Sequence, residues 1–146
     1  MGSDRLVFGR FNGQLLLGPE DFFRLQEEEV AIISNGCGPS GSMGGLVPDT
    51  AWGQDLSPAC HVHDYMYQMC VGMIDEIISD CAFAFNLVMI VLMSDAGKFM
   101  KTMRLMRVFK YVTAVALTAR SSSYWEQNQG DAKRSRFAEA TIFRGN

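Results

Sequence analysis

At 146 residues, 48% of them hydrophobic and 20% charged, the chain is sized for one domain with a sizeable core. A net charge of −3 removes the electrostatic case for nucleic acid, and four cysteines are too few for a fold built on disulfides. The most apolar run, Leu87 to Met93, falls far short of the ~20 residues of a bilayer span and reads as a buried or interfacial helix.

Leu6-Val7-Phe8 and Leu15-Leu16-Leu17 flank Asn12-Gly13, a strong two-residue turn signal, so a hairpin is expected early in the chain. Pro19 is expected to start a short helix, with Glu20 and Asp21 in its first turn and Phe22, Leu25 and Val30 at roughly helical spacing. Together these make an N-terminal unit over 5–31. Residues 34–54 read as a loop, because Gly36, Gly38, Gly41, Gly44, Gly45 and Gly53, with Pro39 and Pro48, oppose any regular element. A loop of that length in a small domain is usually functional.

Ser57 is expected as N-cap and Pro58 as first residue of a helix reaching Cys70. Gly72 breaks the chain, and a second helix runs from Ile74 to about Ser94. A third, Lys98 to Ser121, should turn Met103, Met106, Val108, Tyr111, Val115 and Leu117 inward. Residues 125–146 read as a polar tail, with Phe137, Ile142 and Phe143 as its apolar end. The five Lys/Arg residues from Lys98 to Lys110, and the three from Lys133 to Arg136, read as solvated helix face and tail in preference to a lipid-headgroup or nucleic-acid patch.

The stretch Cys60-His61-Val62-His63-Asp64-Tyr65-Met66-Tyr67 carries the chemistry. The connection at Gly72 is short, so the helices beside it should be antiparallel. His63 lies nine residues before Gly72 and Asp80 eight after it, close to level on facing helices. A His held by a carboxylate of a neighbouring element is a usual construction for a general base. Tyr67 sits one turn from His63 and could donate to Asp80. Asp75 lies too near the turn to reach His63. A structural alternative is a His-Asp pair that only caps the helix start, but a carboxylate at Asp80 in an otherwise apolar helix needs a partner.

Asn35-Gly36-Cys37-Gly38, followed by Cys60-x-x-His63-Asp64 with Tyr67, and by Asp80-Cys81-Ala82-Phe83, resembles the secreted phospholipase A2 superfamily, its divergent and microbial branches in particular. The match spans residues 34–90, or 34–120 with the third helix, inside a single domain over 1–146. The resemblance implies a mainly α fold, an antiparallel helix pair with a calcium-binding loop and a third C-terminal helix; the small N-terminal β-hairpin read above comes before the matching residues. It implies calcium-dependent hydrolysis of the sn-2 acyl ester of glycerophospholipids. His63 would activate water, Asp80 would hold its ring, and the Gly38 amide would stabilise the oxyanion. Calcium would be held by Asp64 and the carbonyls of Gly36, Gly38 and Ser40. Cys37 and Cys60 would form the bridge that ties loop to helix. A phospholipid membrane surface or micelle becomes the expected substrate, with oligomerisation left open.

The chemistry of these residue types agrees. Calcium takes oxygen ligands, glycine-rich backbone can turn carbonyls inward, and a divalent ion with an amide answers the charge of an ester oxyanion. Phe22, Phe23, Met66, Phe83 and Leu46 are candidates for an acyl channel, with core packing as their default role. Departures from the family pattern are Pro39-Ser40 where x-Gly is common, a longer interval from Cys37 to Cys60, and Ala59 in place of a second cysteine. Cys70 and Cys81 are expected as buried free thiols. The superfamily points to a secreted or extracellular setting, although Met1-Gly2-Ser3-Asp4 carries no signal pattern.

Three other readings stay open. A zinc site could use Cys60, His61, His63 and Cys70, although His61 and His63 point to different sides of a helix. A catalytically weak or inactive module on the same fold could bind a lipid or partner. A structural helical protein could pack its Met- and Phe-rich faces on another chain.

Overall fold

The protein is represented by a computed structural model that describes residues 5–33, 50–121 and 135–144. Strands β1 (Leu6–Phe11) and β2 (Gln14–Pro19) pair antiparallel with Phe11 opposite Gln14 and Leu6 opposite Pro19. The Asn12-Gly13 turn joins them with φ of 50° and 78°, the left-handed values that a tight hairpin demands and that Asn and Gly tolerate. The expected hairpin therefore forms, with both strands longer than the apolar runs that signalled it.

Pro19 closes that strand and does not open a helix. The ladder continues past it, as Glu20 N–H donates to the Arg5 carbonyl at 2.8 Å. The expected short helix is broken in two: a 3₁₀ turn, Phe22–Arg24, and helix α1, Glu27–Ile33. Leu25 between them is extended, with ψ of 146°, and Gln26 N–H donates to the Glu29 carboxylate at 2.7 Å, half of a capping box.

Residues 34–49 lie outside the described structure. The expected loop gains regular structure at its end, where β3 (Thr50–Ala51) and β4 (Gln54–Asp55) form a second, minimal hairpin. Trp52 and Gly53 turn it with φ of 49° and 78°.

Helix α2 spans Ser57–Met69. Ser57 is not its N-cap. Leu56 holds that place, and the Asp55 carboxylate accepts both the Ser57 N–H (2.9 Å) and its hydroxyl (2.7 Å). Pro58 stands in the first turn, where no N–H is required. Helix α3 spans Met73–Leu92 and α4 spans Lys98–Ser121, both close to expectation. The inward set of α4 is narrower than its apolar content suggests. Val108, Tyr111 and Val115 are buried at helical spacing, whereas Met106 and Leu117 are exposed.

Residues Arg136–Arg144, expected as polar tail, form helix α5. Phe137 is fully buried in the common core with Phe22, Phe83 and Leu87. Burying one such side chain stabilises by about 1.5–3 kcal/mol. The side chains of Ile142 and Phe143 lie outside the described residues.

Two buried polar side chains join these pieces. Asn86 accepts the Leu17 N–H at 2.7 Å and donates to the Leu17 carbonyl at 2.8 Å. It thereby completes the outer edge of β2 from the middle of α3. Gly18 beside it allows close approach, since a Cβ there would stand 2.7 Å from Val62 Cγ1 of α2. Asp75, with no exposed surface, sits at the turn between α2 and α3. Its carboxylate accepts the N–H groups of Val71 (3.0 Å), Arg136 (2.8 Å) and Phe137 (3.0 Å), and the Ser135 hydroxyl (2.7 Å). Ser135 in turn accepts the Ala138 N–H at 3.0 Å. A carboxylate at a helix N-terminus meets both unsatisfied amides and the positive end of the dipole.

Asp75→Ala deprives all four donors of their acceptor, and the Ser135 hydroxyl and the Phe137 N–H are buried. The substitution is expected to lower the unfolding free energy by about 3 kcal/mol or more, read from urea denaturation. Proteolysis should then cut first at residues 135–144.

Candidate functional site

Helices α2 and α3 pack antiparallel on either side of a short link through Cys70-Val71-Gly72. Gly72 starts α3 from extended backbone, and Asp75 holds the Val71 amide. This geometry brings His63 and Asp80 together. His63 Nε2 stands 2.9 Å from Asp80 Oδ1. Tyr67, one turn further along α2, donates its hydroxyl to the same oxygen at 3.0 Å. The level counted from Gly72 in the sequence is the one the helices adopt.

The surroundings hold the imidazole in one pose. His63 is only 2% exposed. Its ring lies between Phe83, at a centroid distance of 4.5 Å, and Tyr67, at 4.4 Å. Phe83 is fully enclosed and belongs to the core, as do Phe22 and Met66, so these candidates for an acyl channel are packing residues. Phe23 is half-buried against Gly9, and Leu46 lies outside the described residues. Burial, then the charge of Asp80, pushes the Tyr67 phenol well above its ordinary range. Tyr67 therefore keeps its proton and serves Asp80 as a donor. Glu76, buried one turn before Asp80, adds to the negative surroundings of that phenol. No motif or spacing in the sequence singles out Glu76.

The dyad has a chemical direction. With Nε2 facing a carboxylate, the proton of the neutral ring belongs on Nε2. Nδ1 carries the lone pair and makes no hydrogen bond to a described residue. Asp80 can stabilise the imidazolium that forms when Nδ1 accepts a proton, with Tyr67 and the helix pair fixing its position.

Asp64 follows His63 on α2 and is half-buried. It takes no part in the His63–Asp80 contact, so the two neighbours of the His-Asp dipeptide serve different surroundings. Cys60, one turn before Asp64 on the same face, is disulfide-bonded, whereas Cys70 and Cys81 are free thiols. Cys37, its expected partner, lies outside the described residues, as do Gly36, Gly38 and Ser40. Cys81 is exposed, contrary to expectation, because it follows Asp80 on the helix and so turns away from α2. Cys70 is half-buried, its thiol donating to the Met66 carbonyl at 3.2 Å. His61 packs edge-on against Phe11, away from His63.

Among the described residues, no three His, Cys, Asp or Glu side chains cluster as metal ligands. That disfavours the zinc reading, which needed Cys60, His61, His63 and Cys70 in one place. A calcium site built mainly from backbone carbonyls would need only one carboxylate, and the chemistry of Asp64 fits that requirement.

Searches against protein-family models, curated proteins and solved structures return no match. The assignment of the site therefore rests on the residues and their geometry.

The tautomer is directly measurable. Nitrogen-15 NMR is expected to show His63 protonated on Nε2 when neutral, with a strongly downfield Nε2–H proton. Asp80→Ala should remove that signal, and Tyr67→Phe should shift it while preserving the tautomer. A neutral ring protonated on Nδ1 would contradict the site.

Proposed function

We propose that this chain is a calcium-dependent hydrolase of the phospholipase A2 type, cleaving the sn-2 acyl ester of glycerophospholipids. The observation that carries the reading is the His63–Asp80 contact across antiparallel helices, supported by the Tyr67 hydroxyl. The disulfide at Cys60 and the carboxylate of Asp64 beside His63 are consistent with that fold family.

In this reading His63 Nδ1 takes a proton from a water whose oxygen attacks the ester carbonyl. Asp80 holds the ring throughout and offsets the positive charge it acquires. The Gly38 amide donates to the oxyanion of the tetrahedral intermediate. The intermediate collapses by breaking the acyl carbon–oxygen bond, and His63 returns its proton to the leaving glycerol oxygen. The products are a fatty acid and a lysophospholipid. Asp64 and the carbonyls of Gly36, Gly38 and Ser40 would hold calcium. Bound there, the ion supplies Lewis-acid stabilisation of developing negative charge. A disulfide also suits an oxidising, extracellular setting.

The near-complete burial of His63 favours a second reading, a binding module on the same scaffold with weak or no turnover. Hydrolysis of aggregated phospholipid, assayed with calcium and with a chelator, separates the two. The enzyme reading expects turnover that disappears on chelation and falls at least about a hundredfold in His63→Gln, with the fold retained by circular dichroism. Asp64→Asn should abolish calcium binding in calorimetry. Full hydrolysis under chelation would overturn the calcium mechanism, and wild-type turnover in His63→Gln would overturn the base.

A further inference from the structure

Helix α4 contains no acidic residue, although the whole chain carries a net charge of −3. Five Lys/Arg residues fall between Lys98 and Lys110. Two have structural work. Lys101 donates to the Leu92 carbonyl at 2.7 Å and so caps α3, and Arg104 donates to the Trp52 carbonyl at 3.0 Å. Lys98, Arg107 and Lys110 make no ion pair with any described residue.

The same helix leaves large apolar side chains in water. Phe99 is 78% exposed, Phe109 74%, Leu117 62% and Met106 59%. At about 100° per residue, Phe99, Met106 and Leu117 fall on one line opposite the buried Val108 and Val115. Phe109 lies about 80° to one side of that line, and Arg107 about 80° to the other. The line runs for about 27 Å. A helix with two apolar faces, one in the core and one in solvent, has a second surface to cover.

Trp52 adds an independent observation. It turns the β3–β4 hairpin in a left-handed conformation that is uncommon for a bulky side chain. Arg104 holds its carbonyl, and the Arg107 guanidinium lies 4.6 Å from its ring centroid. Even so Trp52 stays 46% exposed. An amphipathic indole is thus pinned beside the basic, apolar helix face.

We propose that the outer face of α4, with Trp52 at its edge, seats the protein on an anionic lipid surface. Apolar side chains would enter the acyl boundary while Lys98, Arg107 and Lys110 meet headgroup charge. Interfacial depth is the setting that tryptophan favours. A second copy of the chain is a poorer occupant, because two such faces would set like charges against each other. The inference rests on the lipid-hydrolase reading for the choice of lipid as the anionic surface, and it locates where that lipid is met.

The test is sedimentation of the full chain with vesicles of ether-linked phosphatidylcholine, with and without about a third of ether-linked phosphatidylglycerol. Ether lipids cannot be hydrolysed at the acyl position, so adsorption is read apart from turnover. The expected result is preferential binding to the anionic vesicles, weakened by salt. Lys98→Glu with Lys110→Glu, or Phe99→Ser with Phe109→Ser, should lower the partition coefficient at least about tenfold. All four side chains are solvent-facing, and circular dichroism should confirm an unchanged fold. In a Trp125→Phe background, Trp52 emission should shift to the blue on binding. Equal binding by the variants, or no preference for anionic vesicles, would overturn the proposal. So would self-association in the absence of lipid that the Phe99 and Phe109 substitutions abolish, which would assign the face to a second copy. Adsorption without hydrolysis of ester lipid would count against the enzyme reading alone. Hydrolysis of a dispersed short-chain ester without adsorption would count against this inference alone.

Discussion

The pairing of His63 with Asp80 depends on register, and register here is set at the turn between α2 and α3. A slip of one residue in either helix would rotate a side chain by about 100° and end the contact. Asp75 resists that slip. Its carboxylate holds the Val71 amide of the link and, at the same time, the first amides of α5. A buried charge is costly alone, yet here it meets four donors and a helix N-terminus. The stability of the turn and the docking of residues 135–144 are therefore one interaction. The site depends on it without touching it.

The parts of this architecture that are legible in the sequence are those with local causes. Asn12-Gly13 specifies its hairpin because both residues accept left-handed backbone. Gly72 divides two helices, and counting outward from it places Asp80 and Tyr67 beside His63. The parts that are not legible have distant causes. Helix α5 owes its start to Asp75, some sixty residues earlier in the chain, and its burial to Phe137 alone among its described side chains. Asn86 looks like an interruption in an apolar run, but it completes the edge of β2. Pro19 illustrates an ambiguity: a strand end and a first helical residue both suit a fixed φ and a missing donor. In α4, apolar does not mean buried, as Met106 and Leu117 show.

The candidate site divides along the same line. Its proton-handling half consists of side chains on helices, where spacing determines position. Its proposed metal-binding half relies on backbone carbonyls of a glycine-rich segment, where spacing determines little. Asp64 bridges the two halves, because the helix that aims His63 toward α3 also carries Asp64 next to it. The disulfide at Cys60 fastens the same turn of α2 to another part of the chain. Catalysis of the proposed kind needs both halves held within a fraction of an ångström, and α2 is the element common to them.

Charge is distributed with the same economy. The acids of α1, Glu27, Glu28 and Glu29, are all exposed, while α4 carries basic residues and no acid. A chain of modest net charge thus keeps its longest helix free of acids. Long-range steering depends on where charge lies more than on the net value. Near an anionic surface the basic residues of α4 would draw that helix inward before any apolar contact formed. Orientation would then precede adhesion, and exposed phenylalanines would meet lipid as part of a selected pose. Like charge on α4 would oppose two copies joining through that helix. A stripe of this size on a neutral helix would lack that protection.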